Sequence, residues 1–192
     1  MVLYLDIFGL SNGVIYDFLK KWSVNLLSRL FFKKKSVKVL VVDDEGKPLT
    51  EIQNFAKKSH PDHSHNYEIV IAYSVETART CLEREQPDYA VIDLNLKHSK
   101  EPTFDGIDII AAIFENEFRT IPIILSRYPF KGEVRKRLKQ LLSLGFNDKE
   151  KNEQLKQLEG RYIHKTSRSG HPTGYVGVLF EVLEREQRNR KK

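Results

Sequence analysis

The sequence predicts an α/β fold, a parallel sheet with helices on both faces. Three observations predict it. From Val37 to about Arg188, short apolar segments alternate with longer amphipathic ones, five times over. The first of the short segments is continuously apolar and β-branched, the pattern of a strand covered on both sides. The polar residues that stand out fall at the carboxyl ends of these segments, where open α/β sheets bind their ligands.

Each element follows from its own residues. "VKVLVV", from Val37, is the first strand. "PLTEIQNFAKK" has helical periodicity, and Pro48 suits a first helical turn. "YEIVIAY" is the second strand. "SVETARTCLERE" follows, with Ser74 as N-cap and Thr77 in the first turn. "DYAVIDLNL" is the third strand. "DGIDIIAAIFENE" is the third helix, with Ile107, Ile110, Ala111 and Phe114 along one side. "IPIILS" is the fourth strand, with Pro122 near its start. "EVRKRLKQLLSLG" is a basic amphipathic helix that should end at Gly145. "NDKEKNEQLKQLEG" is polar and helix-permissive. "RYIHK" is a short fifth strand, and "PTGYVGVLFEVLEREQR" the last helix.

Composition bounds the rest. The chain has 192 residues, 40% hydrophobic and 30% charged, which excludes a disordered chain. Its net charge of +6 is too modest to establish a nucleic-acid or membrane partner. Cys81 is the single cysteine, so an intrachain disulfide and a thiolate zinc cluster are both excluded, and a reducing compartment fits. No apolar run reaches the ~18 residues of a membrane span, and the N-terminus lacks the basic start of a secretory signal. The expectation is a cytoplasmic protein.

The opening third of the chemistry is a puzzle of charge. Asp43 and Asp44 close the first strand, and two adjacent carboxylates repel one another when buried. Asp93 ends the apolar part of the third strand, Ser126 the fourth, and Lys165 the fifth. Three carboxylates converging on one point would suit a hard divalent cation such as Mg²⁺.

Asp43-Asp44, Asp93, Ser126 and Lys165, in this order and each at a strand end, resemble the receiver domain of bacterial two-component response regulators. The resemblance covers roughly Ser36 to Arg188. It implies a flavodoxin-like, doubly wound five-stranded sheet in the order 2-1-3-4-5. It implies that Asp93 accepts a phosphoryl group from a histidine kinase or phosphotransfer protein, with Mg²⁺ held by Asp43, Asp44, Asp93 and the backbone carbonyl of Asn95. Lys165 and Ser126 would then bind phosphoryl oxygens, and Tyr162 would be the switch residue, facing away from Lys165 by strand alternation. Gly106 matches the family's glycine after the third-strand loop.

The chain departs from the family in four places. The loop from Asp93 to Gly106 is longer. Thr166 stands where proline is usual after the lysine. Arg127 stands where a small residue is usual, and would crowd the pocket or add a cation to it. The stretch from Ser126 to Lys165 is enlarged, fitting a longer fourth helix or an added helix around Lys149 to Leu158.

Two units are expected, an amphipathic extension at 1–35 and a receiver-like domain at 36–192. Within the first, Ile15, Phe18, Leu19, Trp22, Leu26 and Leu30 share a helical face among basic residues. Packing on the domain or in a homodimer is one reading of that face, and peripheral membrane contact through 14–35 is the other. The histidines His60, His63 and His65 read as a solvated loop, and Cys81 as a small packed residue. No reader of nucleic acid follows the last helix, so direct gene regulation is not expected.

The function expected is a stand-alone phospho-acceptor that switches binding to a downstream protein, and not a turnover enzyme. The alternative is a degenerate receiver acting as a phosphorylation-independent scaffold. A phosphohydrolase using Asp93 would need a positioned general base, and the sequence marks none.

Overall fold

The computed structural model describes residues 36–58, 66–96, 103–143, 145–165 and 174–190. In chain order the elements are β1 (Ser36–Val42), α1 (Gly46–Lys57), β2 (Asn66–Ala72), α2 (Val75–Glu85), β3 (Tyr89–Ile92), α3 (Gly106–Glu115), β4 (Ile121–Ser126), α4 (Glu133–Leu142), α5 (Asp148–Gly160), β5 (Tyr162–His164) and α6 (Gly174–Asn189). The extension at 1–35, the three loop histidines and Thr166 lie outside the described residues.

The strands form one parallel sheet in the order β2-β1-β3-β4-β5. Alternation along each strand divides the core in two. Leu40, Val42, Ala90, Ile92 and Ile124 face α2 to α5, where Leu82, Ile110 and Leu138 meet them. Val39, Val41, Val91, Ile123, Leu125 and Ile163 face α1 and α6, where Ile52, Leu179, Phe180 and Leu183 meet them. Burying both faces explains why β3, and β1 from Val39 onward, are apolar throughout, each such side chain contributing roughly 1.5–3 kcal/mol.

Local signals set most element boundaries. Ser74 caps α2 in a reciprocal box with Thr77. Asn147 caps α5 through the amides of Lys149 and Glu150, and the Glu150 carboxylate returns to the Asn147 amide. The enlarged region before β5 is thus a thirteen-residue helix that buries Leu155 and Leu158. Pro122 is tolerated because β5 starts pairing only at Ile124, whose amide bonds to Arg161; two residues earlier, that side of β4 has no strand to serve.

Two expectations need correction. In α3 the fully buried pair is Ile109 and Ile110, with Ile113 and Ala112 close behind, while Ala111 and Phe114 are only half-buried. The helix is apolar on nearly every side, so periodicity could not rank its faces. α4 ends at Leu142 with Ser143 as its C-cap, short of Gly145. The Ser143 hydroxyl and amide already bond the carbonyls of the last turn, so no left-handed glycine is required. Among the described residues no helix is long and apolar enough to cross a membrane.

Candidate functional site

Register brings the acidic residues level. Val42 of β1 pairs with Ile92 of β3, so Asp43 and Asp93 stand one step beyond the same rung. Both continue the alternation of the α1/α6 face, and so does Lys165 after Ile163. The Lys165 ammonium consequently reaches both carboxylates, 2.7 Å from Asp43 Oδ2 and 2.6 Å from Asp93 Oδ2. The three side chains are almost wholly buried, at 2%, 9% and 5% exposure for Asp43, Asp93 and Lys165. Asp44, half-buried, completes a set of three carboxylates with one oxygen each lying within 4.8 Å of the others.

Burial dominates the electrostatics. It pushes the Asp43 and Asp93 carboxyls above their ordinary values, and the Lys165 charge opposes that only in part. Burial would also strip the Lys165 proton, but Asp93 and Asp43 together outweigh it and raise the lysine's pKa. Two anions share one buried cation, and the pocket retains negative charge that a further cation would neutralise. The free oxygens are tied locally: Asp43 Oδ1 accepts from the Glu45 amide at 2.8 Å, and Asp93 Oδ1 from the Asn95 amide at 3.3 Å.

Ser126 does not join this cluster. It lies on the opposite face of β4, fully buried, and its Oγ accepts from the Tyr128 amide at 3.2 Å. Tyr162 pairs with Ile124 and packs on that same face, against the Phe130 ring at 5.2 Å, away from Lys165 as alternation requires. Its hydroxyl is buried without an aligned hydrogen bond. Burial raises the phenol's pKa, and the nearby Ser126 hydroxyl lowers it by less.

The long loop after β3 is held at its far end. Asn95 Oδ1 accepts from the Thr103 amide at 3.0 Å, and Arg137 of α4 donates to the Thr103 carbonyl at 3.2 Å. The Arg137 guanidinium lies 4.9 Å from the Phe104 ring centroid. Phe104 has φ of +56°, a strained conformation for a bulky side chain, held by burial between that cation and the Tyr128 ring. Two residues further on, Gly106 lets α3 start directly under Asp93: a Cβ there would fall 2.1 Å from the Asp93 carbonyl oxygen.

Arg127 is engaged by Glu45, while Asp43 and Asp93 are engaged by Lys165. Its Nη2 lies 2.6 Å from each carboxylate oxygen of Glu45. The reading of the sequence missed Glu45, which carries no motif signal beyond following two aspartates.

No protein-family model matches the chain, and no curated protein matches it. Solved structures do. The response regulator PhyR from Brucella abortus is 16% identical with a TM-score of 0.50, covering 89% of this chain and 57% of its own. The signal receiver domain of NarL from Mycobacterium tuberculosis is 17% identical with a TM-score of 0.49, covering 77% and 96%. The receiver domain of the Francisella response regulator 1452 is 21% identical with a TM-score of 0.48, covering 80% and 98%. At these identities the likeness is one of architecture, and with the strand order above it identifies a flavodoxin-like fold of the response regulator receiver type.

Proposed function

We propose that this chain is a receiver that accepts a phosphoryl group on Asp93 from a histidine kinase or phosphotransfer protein and thereby switches its binding to a downstream protein. The observation that carries the reading is the buried Asp43–Lys165–Asp93 cluster at the carboxyl ends of β1, β5 and β3. An Asp93 carboxylate oxygen attacks phosphorus while the phosphorus–nitrogen bond of a phosphohistidine breaks. The electron pair leaves on the imidazole nitrogen, and the product is an aspartyl phosphate. Lys165, already against Asp93, neutralises charge on the phosphoryl oxygens. Ser126 turns to bond one of those oxygens, and the buried Tyr162 beside it follows.

The donor set fits Mg²⁺: three carboxylates and no thiolate or imidazole among them. Asp43, Asp44, Asp93 and the Asn95 carbonyl would hold it. When bound, the ion supplies positive charge opposite the phosphoryl oxygens.

The test is intact mass after incubation with acetyl phosphate and Mg²⁺. One phosphoryl adduct, absent in Asp93→Asn and without Mg²⁺, is expected. An adduct that persists in Asp93→Asn would overturn the assignment. A second reading, a scaffold that is never phosphorylated, is favoured by one observation: Lys165 by itself already bridges both buried carboxylates. No adduct from either a small donor or a panel of phosphorylated donor proteins would establish that reading instead.

A further inference from the structure

The Arg127–Glu45 pair takes no part in the chemistry above, and the strand order gives it a role. β3 lies between β1 and β4 in the sheet. Glu45 follows β1 and Arg127 follows β4, so their side chains meet across the carboxyl end of β3, where Asp93 sits. β1 and β4 stand two strand spacings apart, roughly 10 Å. A small residue at either position would leave that gap open. An arginine and a glutamate span it.

Both ends of the bridge are anchored in the site. The Glu45 amide donates to Asp43 Oδ1, and Arg127 follows the fully buried Ser126. At the strand ends that the bridge spans, Asp43 and Asp93 are 1% and 7% exposed. The bridge itself faces solvent, with the Arg127 side chain 60% exposed and Glu45 24%.

We infer that Arg127 and Glu45 form a breakable bar across the mouth of the acidic pocket and that the bar selects which phosphoryl donors reach Asp93. The inference rests on the acceptor role proposed for Asp93. An exposed ion pair biases an equilibrium only about two- to fivefold, so the bar opens without help from time to time. Small donors wait for that opening. A docked protein that offers a carboxylate to Arg127, or an ammonium to Glu45, breaks the pair as it binds.

The experiment uses the full chain, Arg127→Ala, Glu45→Ala, and the exchanged double variant Glu45→Arg with Arg127→Glu. Two entry rates are measured: phosphoryl uptake from acetyl phosphate by intact mass, and terbium(III) association by tyrosine-sensitised luminescence. A bar predicts that both single variants speed entry of both probes, about two- to fivefold. The exchanged double variant then returns to the native rates.

Charge alone predicts something different. Losing Arg127 would slow the anion and speed the cation, and losing Glu45 would do the reverse. That pattern of opposite signs overturns the bar, as do unchanged rates. If no protein takes up phosphoryl, the acceptor reading fails by itself. The terbium rates still decide the bar, faster entry in both single variants supporting it and equal or opposite rates refuting it.

Discussion

Replacing Gly106 with alanine probes how closely α3 is seated under the acceptor strand. The new Cβ would lie 2.1 Å from the Asp93 carbonyl oxygen and 2.8 Å from Leu94 Cα, both backbone atoms that cannot rotate aside. That is about 1.3 Å short of the 3.4 Å at which ordinary contact begins, so α3 or the Asp93–Leu94 backbone must move. Overpacking of this kind costs about 1–3 kcal/mol. The Gly106 amide also donates to the Leu94 carbonyl at 3.1 Å, a bond worth about 1 kcal/mol that the shift would weaken. Helix propensity returns up to about 1 kcal/mol. The net expectation is a loss of about 1–3 kcal/mol in urea denaturation. Gly160→Ala is the control, because nothing lies within 4 Å of a Cβ there, and it should be neutral or stabilising. A displacement near 1 Å at Asp93 should also slow phosphoryl uptake by roughly 10- to 100-fold. Equal stability of the two variants would refute the close seating of α3 and the reason given for glycine at 106.

Three further outcomes are expected. Burial raises the Asp93 carboxyl despite Lys165, so the folded protein holds that proton more tightly than the unfolded chain. Ionised Asp93 is therefore a net load at neutral pH, and Asp93→Asn should be more stable than the native chain at pH 7. The gain should shrink as pH falls through the raised folded value and vanish below the ordinary 3.8, which paired denaturation curves would check; a gain that grows in acid would reverse the sign of the argument. Lys165→Met leaves Asp43 and Asp93 buried with no ammonium between them and should cost about 3 kcal/mol. Millimolar Mg²⁺ should return part of that loss if the pocket takes a cation, and a calorimetric midpoint indifferent to Mg²⁺ would speak against the ion. Asn147→Ala removes the cap that serves two amides at the start of α5 and should cost about 1 kcal/mol by denaturation, with no change in phosphoryl uptake.

Much of the fold was legible because its signals are local. Ser74 and Thr77 announce the start of α2 wherever the helix packs, and the short β-branched runs announce strands covered on both faces. The faces of α3 were not legible, because a helix apolar nearly all round buries whichever side the sheet presents. The end of α4 was misplaced for a related reason. Gly145 is a strong stop signal, but the Ser143 hydroxyl bonds the Lys139 carbonyl first and ends the helix earlier.

The candidate site divides along the same line. Asp43, Asp44, Asp93, Ser126 and Lys165 could be read from sequence by itself, because they are polar or charged groups at the ends of apolar runs. Which of them touch could not. Asp43, Asp93 and Lys165 meet because register levels two strand ends and alternation turns three side chains to one face, while the same alternation turns Ser126 to the other. The partner of Arg127 depends on β3 lying between β1 and β4, a fact about strand order that separates Glu45 from Arg127 by most of the sheet's sequence and joins them in space. Periodicity and end signals travel along the chain, so sequence by itself determined the elements and their chemistry. Contacts between strand ends depend on order and register, and those only the tertiary structure decided.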